Sequence, residues 1–152
     1  MLFRSRSIEA KLRARLAPRR LTPESLASLE ADELRSVGIS GSKAKSLHDL
    51  AAKVSGREVR LARVARMTDD EVIEELVQVR GIGVWTAQMF LMFHLGRVDV
   101  FPHDDFGIRS ALQKLYKLPE LPNREISGKI AAPWRPYATI ASWYCWRSLE
   151  LP

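Results

Sequence analysis

Two adjacent carboxylates, Asp104 and Asp105, sit where a loop hands over to a helix. Acids at a helix start commonly cap it, because their side chains accept the first unpaired amides. A second acid in such a place can instead stand free beside a reacting centre. It would then stabilise developing positive charge or orient and deprotonate a water. On the residues alone, capping by both is the leading interpretation. His103 precedes them, which raises the question of a metal. The chain has only His48, His94 and His103, with no helical His-x-x-x-His pair, and this argues against a transition-metal centre.

About twenty residues upstream lies a different kind of chemistry. Leu76-x-x-Val79-x-Gly81-Ile82-Gly83-x-x-Thr86-Ala87 places two glycines around one apolar residue between two helical stretches. Glycine permits positive φ and close backbone approach. Ile82 would plug the gap between the helices. Amides from Gly81 onward begin the second helix unpaired and face outward, a phosphate hook that reads no sequence. Gly81, Gly83 and Thr86 are the candidate phosphate-binding residues. An ordinary helix–helix turn is the alternative for a bare Gly-x-Gly, and the flanking helices and the following Thr-Ala favour the hook.

The surrounding pattern is helical throughout. No stretch shows sustained period-two alternation, so the expected fold class is all-α. Residues 7–16 form a basic amphipathic helix with Ile8, Leu12 and Leu16 on one face. Thr22-Pro23 opens the next, with Thr as N-cap and Pro at the first helical position. A run over 31–37 stops at Gly38, a left-handed C-cap. A helix over 42–54 carries Lys43 and Lys45 near its start, the end unfavourable for cations. They serve either an external anion or a solvated face. Residues 57–66 give a short basic helix or turn. Thr68-Asp69-Asp70-Glu71 is a capping box, and its helix runs into the glycine hairpin. Val84–Leu95 follows, then the loop 97–105. A helix over 105–116 turns Ile108, Leu112 and Leu115 inward. Helices over 123–131 and from Tyr137 to about Leu149 complete the chain.

The 152 residues suffice for one domain with a sizeable core, or for two small lobes sharing a cleft. Hydrophobic residues make up 46% of the chain, as in a globular protein. Lys and Arg number 24 against 18 Asp and Glu, a net +6 that favours a polyanionic partner, nucleic acid before anionic membrane. A basic protein without such a partner is the alternative. Cys145 is the single cysteine, so neither an intrachain disulfide nor an iron–sulfur cluster can form. A reduced, cytoplasmic location is the default. No apolar run approaches a membrane span, and the basic start lacks the apolar stretch of a secretory signal.

The hairpin is followed by Gly96-Arg97-Val98-Asp99-Val100-Phe101-Pro102-His103-Asp104-Asp105-Phe106-Gly107-Ile108-Arg109. Together they resemble the helix-hairpin-helix/Gly-Pro-Asp superfamily of DNA base-excision glycosylases, in particular the 3-methyladenine DNA glycosylase II branch. The resemblance covers roughly residues 20 to 148, including Pro133-Trp134-Arg135-Pro136-Tyr137 and Trp143. It implies a single domain over 1–152 in two helical lobes: a hairpin-bearing bundle and a smaller C-terminal lobe, with or without the extreme N-terminus. The cleft is expected near 81–105. It assigns catalysis to Asp105, leaving Asp104 to cap the helix. Breaking an N-glycosidic bond builds positive charge on the sugar, which a carboxylate offsets.

Bifunctional relatives such as endonuclease III carry a nucleophilic lysine where Trp85 stands here. The resemblance therefore implies a monofunctional enzyme that uses water and leaves an abasic site. Trp85 and Trp143 become the base-pocket candidates, since a flipped alkylated purine carries positive charge that indole faces attract. A core role for all four Trp is the alternative, and Trp134 and Trp146 stay unassigned. A monovalent cation, Na or K, held by the backbone carbonyls near Val77, Val79 and Ile82 is also implied, with no cofactor otherwise.

The implied partner is double-stranded DNA with damaged bases, bound by a nucleoid-associated monomer. Relatives have more chain before the point matching residue 1, so the fold is expected to be shortened at the N-terminus, with Met1-Leu2-Phe3-Arg4 falling inside the first core helix. A catalytically inactive or fragmentary helix-hairpin-helix DNA-binding module is the alternative function, and a protein-interaction domain that has kept only the fold is the third.

Overall fold

The structure is a computed structural model. It describes residues 2–151, with side chains from residue 6 onward. The packing expected of Met1, Leu2, Phe3 and Arg4 lies outside the described residues. Among the described residues the regular elements are all helical: α1 (Leu2–Leu16), α2 (Pro23–Ala27), α3 (Ala31–Ser36), α4 (Gly41–Ser55), α5 (Asp69–Val77), α6 (Val84–Phe93), α7 (Phe106–Leu115), α8 (Arg124–Ala131) and α9 (Ala138–Ser148). Short 3₁₀ turns occupy Leu61–Arg66 and Ala132–Trp134.

The chain forms two compact units. One takes residues 1–67 and 74–82, the other 68–73 and 83–152. In the first, α2 and α3 pack on α4. Its core gathers Leu12, Leu16, Leu26, Leu34, Val37 and Ala51. The helix α1 contributes Leu12 and Leu16 to this core, so it belongs here and not with the C-terminal segment.

The expected starts and stops are visible as hydrogen bonds. Thr22 Oγ1 accepts from the Ser25 amide (3.2 Å), and Ser25 Oγ accepts in return from the Thr22 amide (2.9 Å). Gly38 ends the α3 segment at φ +96°, where an L side chain would be strained. Glu75 is almost fully buried in this unit. Its Oε1 accepts from the Arg60 amide (2.5 Å) and from Arg60 Nε (3.1 Å), and its Oε2 accepts from Arg60 Nη2 (3.2 Å). Those donors hold its carboxyl below the usual range against the opposing effect of burial.

In the second unit α7 packs on α9. Its core contains Phe101, Ile108, Ala111, Leu112, Ala131 and Cys145, with Trp134 and Trp146 packed against it. Burial pushes the Cys145 thiol up, which keeps it protonated and inert. The capping box at α5 forms as the sequence predicts: the Thr68 amide donates to Glu71 Oε2 (2.7 Å), and the Glu71 amide donates to Thr68 Oγ1 (3.3 Å). Leu115 departs from expectation. It stands in the last turn of α7 and is half exposed, because the buried face of that helix is already completed by Ile108, Ala111 and Leu112. Among the described residues no helix is long and apolar enough to cross a membrane.

Candidate active site and DNA-binding hairpin

Asp105 is the N-cap of α7. Its backbone is extended (φ −69°, ψ 119°), and its Oδ1 accepts from the Ile108 amide at 2.8 Å. This corrects the division of labour expected between the two acids. Asp104 does not cap the helix. Its side chain is two-thirds exposed and lies 4.0 Å from the Arg124 guanidinium, a weak solvated pair. The cap geometry decides the matter, since the residue immediately before the first helical turn holds the capping position. Asp105 occupies it and turns inward, while Asp104, one residue earlier, faces solvent.

The capping bond is one of three. Trp85 Nε1 donates to Asp105 Oδ2 at 2.7 Å, and Trp146 Nε1 donates to Oδ1 at 2.9 Å. The carboxylate is 9% exposed. Donors from α6, α7 and α9 thus converge on one buried acid, and each is a neutral N–H that brings no competing charge. Trp85 is 49% exposed, so its edge is anchored on Asp105 while much of its face stays open.

Trp143 is placed differently. It is half exposed, with the Tyr144 ring 5.6 Å away in a T-shaped contact and the Arg147 guanidinium 6.0 Å from its centroid. Trp134 packs edge-on against Phe101 and belongs to the core. Trp146 is the site residue that sequence reading left unassigned. Its spacing of three from Trp143 puts both on one stretch of α9, but nothing in the sequence shows that its N–H reaches Asp105.

The loop that delivers Asp105 is tied down where it begins. The Thr139 amide donates to the Val98 carbonyl (3.0 Å), Thr139 Oγ1 donates to the Arg97 carbonyl (2.8 Å), and the Val100 amide donates to Thr139 Oγ1 (2.9 Å). Asp99 accepts from the Ala138 amide (3.2 Å) and pairs with Arg135 (3.0 Å), serving the start of α9. Further along, Arg109 Nε donates to the Pro122 carbonyl at 2.7 Å.

His103 takes no part in the carboxylate cluster. Its Nδ1 is buried without a partner, and burial followed by the Arg124 charge holds the imidazole below its usual range. It borders a cavity of about 580 Å³ with Asp69, Gln88, Asp99, Phe101 and Arg135. Among the described residues no three His, Cys, Asp or Glu side chains cluster in a way that could hold a metal.

The hairpin between α5 and α6 is a tight turn. The Val79 amide donates to the Leu76 carbonyl (3.1 Å), and the Ile82 amide donates to the Val79 carbonyl (3.0 Å). Ile82 is therefore spent inside the turn and is not among the outward amides, contrary to a hook running unbroken from Gly81. Gly83 is the N-cap of α6 with no side-chain cap, and Ala87 is the first amide to bond back, to the Gly83 carbonyl (3.0 Å). The amides of Val84, Trp85 and Thr86 precede that bond, and these are the free donors of a helix N-terminus.

Gly81 has φ +79°, which favours glycine, and a Cβ there would lie 2.5 Å from Ser46 Oγ and displace that hydroxyl. Asp49 on the same helix as Ser46 accepts from the Arg80 amide at 2.7 Å and is bridged by Lys53 Nζ at 2.9 Å. That amide bond first, and then Lys53, holds the Asp49 carboxyl below its usual range. The sequence held no sign of this brace, since Asp49 and Arg80 lie 31 residues apart.

A glycine hairpin between two helices, followed by a carboxylate at the head of the next helix, defines an all-α protein of the helix-hairpin-helix kind. The chain belongs to the HhH-GPD superfamily of base excision DNA repair proteins, whose family model matches residues 6–136. It is 37% identical over 131 residues to DNA-3-methyladenine glycosylase 1 of Schizosaccharomyces pombe, covering 86% of this chain and 58% of that one.

Among solved structures it is similar to a 3-methyladenine DNA glycosylase of S. pombe in complex with abasic DNA (TM-score 0.76, 30% identity, 95% of this chain and 81% of that one). It is also similar to a DNA-3-methyladenine glycosidase of Bacillus halodurans (TM-score 0.80, 28% identity, 97% of this chain and 68% of that one). The chain spans about half the length of the curated relatives it matches, 45% to 62% of three of them.

Proposed function

We propose that the protein is a monofunctional DNA N-glycosylase that excises alkylated purines of the 3-methyladenine and 7-methylguanine type from double-stranded DNA. The observation that carries this reading is the buried Asp105 carboxylate, held by three N–H donors beside the exposed face of Trp85. Free amides at the start of α6, with Gly81, Gly83 and Thr86 about them, take a backbone phosphate through hydrogen bonds and the helix dipole.

The damaged base, extruded from the stack, meets aromatic faces at Trp85 and Trp143. An alkylated purine is cationic, so it is drawn to an indole face and is already a good leaving group. As its bond to the sugar lengthens, positive charge spreads over the ring, and Asp105 offsets that charge and orients the incoming water. The indole of Trp85 offers no amine to form a Schiff base, so the product is an abasic site with an intact strand.

The curated relatives are named as glycosylases for 3-methyladenine, and this supports the substrate class. We propose further that the backbone carbonyls of Val77, Val79 and Ile82 hold a monovalent cation, Na or K. The Val79 oxygen keeps a second lone pair beyond its bond to Ile82. The protein acts as a monomer on nucleoid DNA in the cytoplasm.

Base release from methylated duplex DNA tests the reading, with wild type compared to Asp105→Asn. Asparagine is as good an N-cap as aspartate, so the variant keeps the start of α7 while losing the charge and the acceptor that Trp85 uses. Wild type should release methylpurine and leave alkali-labile sites, and the variant should bind DNA and release almost nothing. A folded wild type that binds DNA and releases no base sinks the enzyme reading and leaves a helix-hairpin-helix DNA-binding module.

A further inference from the structure

We infer that Trp146, given its room by Gly107, is a positioning residue that fixes the plane of the Asp105 carboxylate. The inference rests on the glycosylase reading above. A carboxylate that caps a helix through one oxygen is still free to turn about its last torsion, which is broad. The Ile108 amide pins only Oδ1. A second donor reaching Oδ1 from another direction stops that turn, and Trp146 supplies it from α9, while Trp85 bonds Oδ2.

The two indoles are not equivalent. Trp85 is half exposed, with its N–H on Asp105 and an open face on which a base can stack. Trp146 is packed against the core of Phe101, Ile108 and Leu112, and its ring lies 6.0 Å from Phe93. It is the fixed donor of the pair.

Gly107 supports this assignment independently. A Cβ built there would sit 3.0 Å from Trp146 Cδ1, 3.2 Å from Trp146 Nε1 and 3.1 Å from Asp105 Oδ1. Any side chain would crowd the bond between those two groups. The position lies inside α7 and carries no positive φ, so the backbone does not require glycine. Helix propensity alone favours alanine. A residue that breaks a local rule where it touches a functional acid is best explained by the contact it leaves open.

Trp146→Phe keeps the ring and removes the N–H. In single-turnover base release it should lower the rate about tenfold, the scale of one lost hydrogen bond to a charged group. Affinity for the same duplex should stay within about twofold, and the melting temperature should hold. Gly107→Ala should lower the rate several-fold, with the gain in helix propensity offset by the crowding of Trp146. In an Asp105→Asn background neither change should cost anything further, because the group being positioned has lost its charge.

A second readout needs no activity. The Trp146 indole N–H resonance should move when Asp105 becomes Asn. Full activity in Trp146→Phe alongside an inactive Asp105→Asn overturns the inference and makes Trp146 packing alone. So does an indole resonance that ignores Asp105→Asn. A wild type that releases no base overturns the glycosylase reading and takes the positioning role with it, even where the resonance still reports the bond.

Discussion

Asp105 does two jobs with one side chain: it starts α7, and it presents a carboxylate braced by two indoles. Different substitutions separate the two. Asp105→Ala removes the cap and leaves two indole N–H groups without their acceptor, so it should cost more than the roughly 1 kcal/mol of a cap, whereas Asp105→Asn keeps the cap and should cost less. Both should abolish base release. Thermal unfolding read beside the release assay shows whether the losses part in this way. Asp104 supplies the control. It is exposed and only loosely paired with Arg124, so Asp104→Ala should keep near-normal activity and shift stability by under about 0.5 kcal/mol. A large loss of base release in that variant would move the chemistry one residue upstream.

The hairpin carries the proposed phosphate contacts, and its shape is braced from α4 by Asp49 and Ser46. Gly81→Ala would place a Cβ 2.5 Å from Ser46 Oγ on a backbone at φ +79°. The left-handed conformation alone costs an L residue roughly 1–2 kcal/mol, and the clash adds to it. The variant should unfold at lower denaturant and bind duplex DNA more weakly. Ser46→Ala in the same chain should recover part of the loss by removing the clash, though not the backbone strain. Equal stability of Gly81→Ala and wild type would show that the turn relaxes freely.

The two glycines, the flanking helices and the cap residues were legible because each is a short-range signal. Thr22, Gly38 and Thr68 fell where local chemistry places them. The spending of the Ile82 amide inside the turn was not legible, because it depends on how tightly the hairpin closes.

Across the whole molecule the charge pattern sets the response to acid and to salt. Glu24, Glu33, Asp49 and Glu75 all titrate below their usual values because backbone amides, hydroxyls or guanidinium groups donate to their charged forms. For an acid whose folded value is depressed, the stabilisation is fully present above the unfolded value. It is lost as pH falls through the folded one. Stability should therefore begin to fall below about pH 6.5, where an unfolded imidazole takes up the proton that buried His103 resists, and fall further below about pH 4, where unfolded carboxylates take up protons. Chemical denaturation at a series of pH values reads this directly. Glu75→Gln should flatten part of the decline, since Glu75 is the buried member of the set. With a net charge of +6, DNA affinity should fall linearly in log–log form with salt, by about 0.9 per phosphate neutralised. Binding indifferent to salt would point away from phosphate contacts.

What the sequence determined by itself is what neighbours along the chain can decide: an all-helical fold, the helix boundaries, the glycine hairpin, the basic surplus and the acid at the head of α7. Those features follow from propensity, capping and periodicity, whose range is a few residues. Tertiary structure alone decided which of two adjacent acids caps, which tryptophans touch it, and what holds the hairpin in shape. The Trp85 and Trp146 bonds to Asp105 span 20 and 41 residues, and the Asp49 bond to Arg80 spans 31. Contacts at those separations are set by how helices pack, and a hydrogen bond leaves no trace in sequence spacing when its partners lie on different helices.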